Sequence, residues 1–217
     1  MLQAIVFDFD GTILETEGPD YQSWQEIFDA HGSELTLDVW IHCVGGAPVD
    51  FDPFAILERQ TGVALDRVST HQARRKRVLE LIERQPPMPG VEALISAAQA
   101  AGIGLAVASS SSRAWVEGNL ARLDLRHHFL AVRTADDVER VKPDPALYRL
   151  AAVALGTPPD QTLAIEDSRT GMLAAKGAGL RCLVVPNSVT QFSDFSQADL
   201  RLGSLADLTP QELFAHF

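Results

Sequence analysis

The sequence predicts an α/β fold: a doubly wound, Rossmann-like parallel-sheet core interrupted by an inserted all-α cap domain. Two observations carry the first half of that reading. Five short aliphatic runs, residues 3–7, 103–108, 129–133, 162–166 and 181–185, each end in polar or turn residues, as buried strands do. Helical patterns separate most of them, and alternating strands and helices build a parallel sheet covered on both faces. A third observation carries the second half. The interval between the first two runs is far longer than one crossover helix needs, and it reads as helix.

Taken in order, the first run leads directly into "DFDGT" (8–12). In the insert, Tyr21, Trp24 and Phe28 outline one helix and Gly32 its stop. Asp52-Pro53 opens another that ends at Gly62, and a third near 66–84 carries "ARRKRVLELIER". "QPPMPG" (85–90) is a stiff return linker. The expected division is therefore a catalytic core of 1–14 and 87–217 with a cap of 15–86. Beyond the linker, Val91, Leu94, Ile95 and Ala98 share one helical face, and Gly102 ends that helix. The second strand, "IGLAVA", ends in Ser109-Ser110-Ser111-Ser112 before "RAWVEGNLARL". Leu147, Leu150, Ala151 and Ala154 repeat the helical spacing, with Asp144 as N-cap, Pro145 at the first helical position and Gly156 as terminator. The fourth strand, "TLAIEDS", precedes a small-residue helix, "RTGMLAAKGAG".

Composition limits the partners. The chain has 217 residues, enough for a core with a smaller satellite. Asp and Glu number 29 against 18 Lys and Arg, a net charge of -11. Such a surface argues against nucleic acid or an anionic membrane as partner. An anionic ligand would need a local cation or helix N-terminus to overcome that field. Cys43 and Cys182 lie far apart in no metal-ligand spacing and are expected to be reduced and structural. The first apolar run is short and meets acids at once, and no stretch is long enough to span a bilayer. The expectation is a soluble cytoplasmic monomer.

The chemistry-bearing residues cluster at strand ends. Asp8 and Asp10 follow the first strand, one residue apart. Asp-Gly is also a common turn dipeptide, so a turn alone would account for them. Like charges this close otherwise persist when a cation sits between them or one is protonated. In open parallel sheets, ligands bind beyond the carboxyl ends of the strands, where these acids sit. Magnesium suits one or two carboxylates with phosphate oxygens. Ser109 stands where hydroxyls and free amides suit an anion, or where they merely cap a helix. Lys142, in "VKPDP", is kept out of the following helix by its proline. Glu166 and Asp167 end the fourth strand. Each of these residues has an ordinary structural explanation alone. Together, on separate strands of one sheet, they converge on a nucleophile, a metal site and phosphate donors.

With "DFDGT" (8–12), "VASSS" (107–111), "KPDP" (142–145) and "EDS" (166–168) in this order and spacing, the sequence resembles the haloacid dehalogenase superfamily, in its β-phosphoglucomutase-like group with an α-helical cap. The resemblance spans nearly the whole chain. It implies Asp8 as the nucleophile that takes the phosphoryl group and Asp10 as general acid, then base. It implies Mg2+ held by the Asp8 side chain, the Asp10 backbone carbonyl and Asp167, with Glu166 as an accessory acid. Ser109 and Lys142 would bind the transferring phosphoryl group, and the cap would close over a small phosphorylated metabolite.

Two departures bear on the reaction. Where the mutase carries a cap histidine, this chain has Asp20. Where the mutase grips a distal phosphate with a loop arginine, "VGGAPVDFDP" (44–53) has no basic residue. The expected activity is therefore a magnesium-dependent phosphatase, with hexose phosphate mutase as the alternative. A phospho-accepting signalling domain fits less well, because it carries no insert of this size. Gly45 and Gly46 are candidates for substrate discrimination at the cap's mouth. Of Arg74-Arg75-Lys76-Arg77, at most one or two could face the cleft. Trp24 and Trp40 read as cap core.

Overall fold

A computed structural model describes residues 2–40 and 52–217. Cys43, Gly45 and Gly46 lie outside the described residues, as does most of the loop 44–53. Six parallel strands form one sheet in the order β3-β2-β1-β4-β5-β6. They are β1 (Ala4–Phe7), β2 (Gly104–Ala108), β3 (Ala131–Arg133), β4 (Thr162–Glu166), β5 (Arg181–Val184) and β6 (Leu200–Arg201). Five of these match the aliphatic runs to within two residues at each end. The sixth has two residues, too short for any alternation to register.

Strand alternation explains the two-sided core. Ile5, Phe7, Leu105, Val107, Leu163, Ile165 and Leu183 share one cluster with α5 (Val91–Ala100), α6 (Arg113–Arg122) and α9 (Pro210–His216). The alternate residues Val6, Ala106, Ala108, Ala164 and Cys182 belong to a second cluster, with α7 (Ala146–Leu155) and α8 (Arg169–Gly177). That face is lined with alanines, which lets α7 and α8 lie close to the strands.

The expected face of α5 is the observed one: Val91, Leu94, Ile95 and Ala98 are all buried. The expected face of α7 needs correction. Leu147, Tyr148, Ala151 and Ala152 are buried, whereas Leu150 is 36% exposed and Ala154 is exposed. The spacing fits two faces rotated by one residue, and the Tyr148 hydroxyl selects between them by donating to Glu166 Oε1 at 2.6 Å. The helix also starts one residue later than expected. Pro145 occupies the cap position, and the Asp144 carboxylate accepts from the Ala146 N–H at 3.0 Å.

Between β1 and α5 lie α1 (Glu17–Ala30), the short α2 (Leu37–Trp40), α3 (Pro53–Thr61) and α4 (Arg67–Glu83). Asp52 caps α3 by accepting from Phe54 N–H, and Gly62 ends it at φ 71°. Asp66 caps α4. The sequence did not signal α2, a single turn. Trp24, Phe28, Leu35, Trp40 and Leu57 form the insert's own core, so both tryptophans are core residues. The same cluster contains Val189, from the segment that follows β5.

Candidate functional site

The strand order places a topological switch between β1 and β4, because β1 connects outward to β2 on one side while β4 begins the other half. A crevice at the carboxyl ends is the geometric consequence. Asp8 leaves β1 there, its N–H held by Ile165 O at 2.9 Å. Glu166 ends β4 beside it, and Asp167 follows. Ser109 leaves β2 with its N–H on Arg133 O at 2.9 Å. The short loop after β1 turns on Gly11, at φ 79°. A Cβ at Gly11 would lie 2.3 Å from Asp167 Oδ2, so only glycine lets "DGT" pass this carboxylate.

Lys142 reaches the same point from the segment between β3 and α7. Its Nζ lies 2.5 Å from Asp8 Oδ1 and 2.6 Å from Glu166 Oε1, and 4.9 Å from the Tyr148 ring centre. All three charged groups are buried. Burial would push the ammonium down, but the Asp8 and Glu166 carboxylates outweigh it and hold Lys142 above its usual value. Burial pushes Asp8 up; Lys142 opposes this, while Glu166 and Asp10 add to it. Burial, with Asp8 and Glu166, also raises Asp167.

Asp8, Glu166 and Asp167 bring carboxylate oxygens within 4.8 Å of one another. Three buried carboxylates face one lysine, an excess of negative charge with hard oxygen donors. That donor set fits magnesium or a similar oxygen-seeking cation. Glu166 differs from the other two. Its oxygens already accept from Lys142, Tyr148 and the Ser168 hydroxyl, the last at 3.1 Å. A Cβ on Gly171 would fall 1.9 Å from it, so that glycine makes its space.

Asp10 is held apart from this cluster. Its Oδ2 accepts from the Ser111 hydroxyl at 2.6 Å and from the Ser109 hydroxyl at 3.4 Å. Its Oδ1 accepts from the Trp115 indole at 2.8 Å. Ser112 caps α6, and Ser109 accepts from Ser111 N–H at 3.0 Å. The serine run thus both starts the helix and holds Asp10.

A cavity of about 620 Å³ opens above these groups, lined by Asp8, Asp10, Ser109, Lys142 and Asp167 below and by α1 and α4 above. The structure brings all these sequence-selected residues together; Glu166 lies beneath. From α4, Arg74 and Arg75 reach the cavity. Arg74 pairs with Asp20 at 2.5 Å and lies 4.9 Å over the Trp24 ring. Arg77 instead pairs with Glu26, and Lys76 with Glu80. Sequence reasoning missed Trp115, Asn187 and Glu17. Glu17 lines the cavity with its carboxyl pushed up to about 7 by burial and by Asp20, Asp10 and Glu15. Position 17 carried a signal, an acid in the first turn of a helix beside the DxD loop, but that pattern also suits the helix dipole. Asn187 donates to Asp167 Oδ2 at 2.8 Å from the segment after β5, which has no recognisable motif.

Residues 5–185 match the haloacid dehalogenase-like hydrolase family. The chain belongs to that family. YhcW of Bacillus subtilis (strain 168) is 46% identical over 216 residues, covering 100% of this chain and 98% of YhcW. Fructose-1-phosphate phosphatase YqaB of Escherichia coli (strain K12) is 32% identical over 190 residues, covering 82% of this chain and 93% of YqaB. A crystal structure of a CbbY variant from Rhodobacter sphaeroides with xylulose-1,5-bisphosphate superposes with a TM-score of 0.70 at 34% identity, covering 96% of both chains. With this membership and these relatives, the haloacid dehalogenase-like chain is a phosphoric monoester hydrolase. No helix among its described residues is long and apolar enough to cross a membrane.

Proposed function

We propose that this hydrolase is a magnesium-dependent phosphatase of small phosphorylated carbohydrates that works through an aspartyl phosphate on Asp8. The observation that carries the reading is the contrast between the two aspartates of "DFDGT". Asp8 is buried against Lys142 and the acidic cluster, while Asp10 is held 2.8 Å from Trp115 at the cavity wall. The relatives named for phosphorylated sugars support the substrate class.

In the first step an Asp8 oxygen attacks phosphorus and the bond to the leaving oxygen breaks. Asp10, in its acid form, gives that oxygen its proton, so the alcohol departs neutral. In the second step Asp10 accepts a proton from water. The water oxygen bonds to phosphorus, the bond to Asp8 breaks, and inorganic phosphate leaves. Lys142 and Ser109 neutralise and orient the phosphoryl oxygens. Asp8, the Asp10 carbonyl and Asp167 would hold Mg2+, which when bound supplies charge neutralisation for the phosphoryl oxygens. Glu166 keeps Lys142 in place. The residues 15–86 would act as the cap that limits water.

Arg74 bears on the choice between phosphatase and mutase. A mutase must also bind a second phosphate, yet Arg74, braced over Trp24 inside the cavity, is already neutralised by Asp20. The deciding experiment offers phosphorylated sugars with Mg2+ and scores both free phosphate and isomerised product, with Asp8→Asn as control. Phosphate without isomer, lost in the control, is the expected result. Isomerised product would establish the mutase, and turnover by Asp8→Asn would remove the nucleophile.

A further inference from the structure

Asp167 is 4% exposed, and among the described residues its side chain receives one hydrogen bond, from Asn187 Nδ2 at 2.8 Å. The same oxygen, Oδ2, lies close against Gly11, where a Cβ would fall 2.3 Å from it. A carboxylate that holds a metal needs its orientation fixed by its surroundings, and removal of such a partner weakens metal binding roughly 10- to 100-fold.

Asn187 is itself fixed at every polar atom. Its Oδ1 accepts from the N–H groups of Val189 and Thr190, both at 2.9 Å. Its own N–H donates to Thr190 Oγ1 at 3.1 Å, and its carbonyl accepts from Gln191 N–H at 3.1 Å. The side-chain oxygen therefore faces N–H groups and the nitrogen faces Asp167; the reverse orientation would set a carbonyl against a carboxylate. Two residues on, Val189 is 4% exposed within the insert's core of Trp24, Phe28, Leu35, Trp40 and Leu57. One short turn thus joins the carboxylate beside the reacting centre to the apolar interior of the helical insert.

We propose that Asn187 is a positioning residue that holds Asp167 in its metal-binding orientation, and that its placement depends on Val189 being seated in the insert. Metal affinity and the seating of the insert are then coupled through three consecutive residues. The inference rests on the magnesium site of the proposed function, but it concerns how that site is built.

Asn187→Ser separates the positioning role from a merely structural one. A serine hydroxyl can still accept the turn's N–H groups, but it is too short to reach Asp167. Mg2+ binding is measured by calorimetry on the full chain without substrate, alongside thermal melting. Asn187→Ser should raise the Mg2+ dissociation constant at least tenfold with the melting temperature nearly unchanged. A dissociation constant within twofold of the parent would overturn the positioning role. Val189→Ala, which touches no ligand, should raise it severalfold. Leu213→Ala, in α9 against the other face of the core, should lower the melting temperature yet leave Mg2+ binding unchanged. If Val189→Ala and Leu213→Ala behave alike toward Mg2+, the coupling is wrong. Absence of Mg2+ binding by the parent chain would instead count against the proposed function itself.

Discussion

The indole N–H of Trp115 donates to Asp10 Oδ1 at 2.8 Å, and the Ser111 hydroxyl holds the opposite oxygen at 2.6 Å. Donors on both oxygens, with the Ser109 hydroxyl a third at 3.4 Å, fix the carboxylate's plane at the wall of the cavity. For the proton donor proposed at Asp10, orientation counts as well as acidity. Trp115→Phe keeps the apolar body and removes the donor. It should lower kcat about tenfold on an alkyl phosphate, and much less on 4-nitrophenyl phosphate, whose leaving group needs no proton. Equal losses on both substrates would show that Trp115 does not act through Asp10.

Trp115 also marks the limit of what the sequence displays. Asp8, Asp10, Ser109 and Asp167 were legible because each closely follows an aliphatic run, where topology alone brings them together; Lys142 stands nine residues past β3, and only the proline of "VKPDP" marked it. Trp115 and Tyr148 lie within helices, where an aromatic residue reads as core; only the three-dimensional meeting with Asp10 and Glu166 shows their polar ends at work. Asn187 was hidden for a different reason, since "VPNSVT" has no period and its partner, Asp167, lies twenty residues earlier, just past β4. The sheet was legible except for β6, which is held by pairing with β5 rather than by any pattern of its own.

Lys142 neutralises two buried carboxylates at once. Lys142→Met fills similar space but leaves Asp8 and Glu166 facing each other without a cation. Breaking a buried ion pair by removing one partner costs about 3–5 kcal/mol. The variant should therefore unfold at markedly lower urea concentration in the absence of metal. Turnover should fall at least a hundredfold, as for loss of a group that neutralises developing charge. Parent-like urea stability would mean that the site tolerates the uncompensated acids.

Glu17 should make stability depend on pH in the unusual direction for an acid. The groups around it are Asp20, Asp10 and Glu15, with Arg74, Arg75 and Lys142 lining the same cavity. Its carboxyl titrates at about 7 when folded, against an ordinary value of 4.5. The folded state therefore holds the proton more tightly than the unfolded one. Its contribution is fully present below about pH 4.5 and is lost as pH rises through 7. Glu17→Gln mimics the protonated form. It should be more stable than the parent at pH 8, on the order of 2 kcal/mol, with the difference vanishing near pH 4. Melting curves at the two pH values check this, and a difference of equal size at both would exclude titration of Glu17 as its cause.

Asp20 restrains the charge that the cavity shows to the substrate. Its carboxylate pairs with Arg74 at 2.5 Å, while Arg74 Nε is buried with no hydrogen-bond partner among the described residues. The guanidinium is already braced against Trp24, so removing the acid frees a cation that keeps its position. Asp20→Ala should therefore favour substrates with a second anionic group. The ratio of kcat/KM for a sugar bisphosphate to that for the matching monophosphate should rise about tenfold, equivalent to about 1.4 kcal/mol. The stability cost should be small, about 1 kcal/mol, as for a partly exposed ion pair. The gain should disappear in Asp20→Ala/Arg74→Ala, because the second change removes the freed charge. A preference that persists in the double variant would place the anion subsite elsewhere, with Arg75 the next cation of α4 lining the cavity.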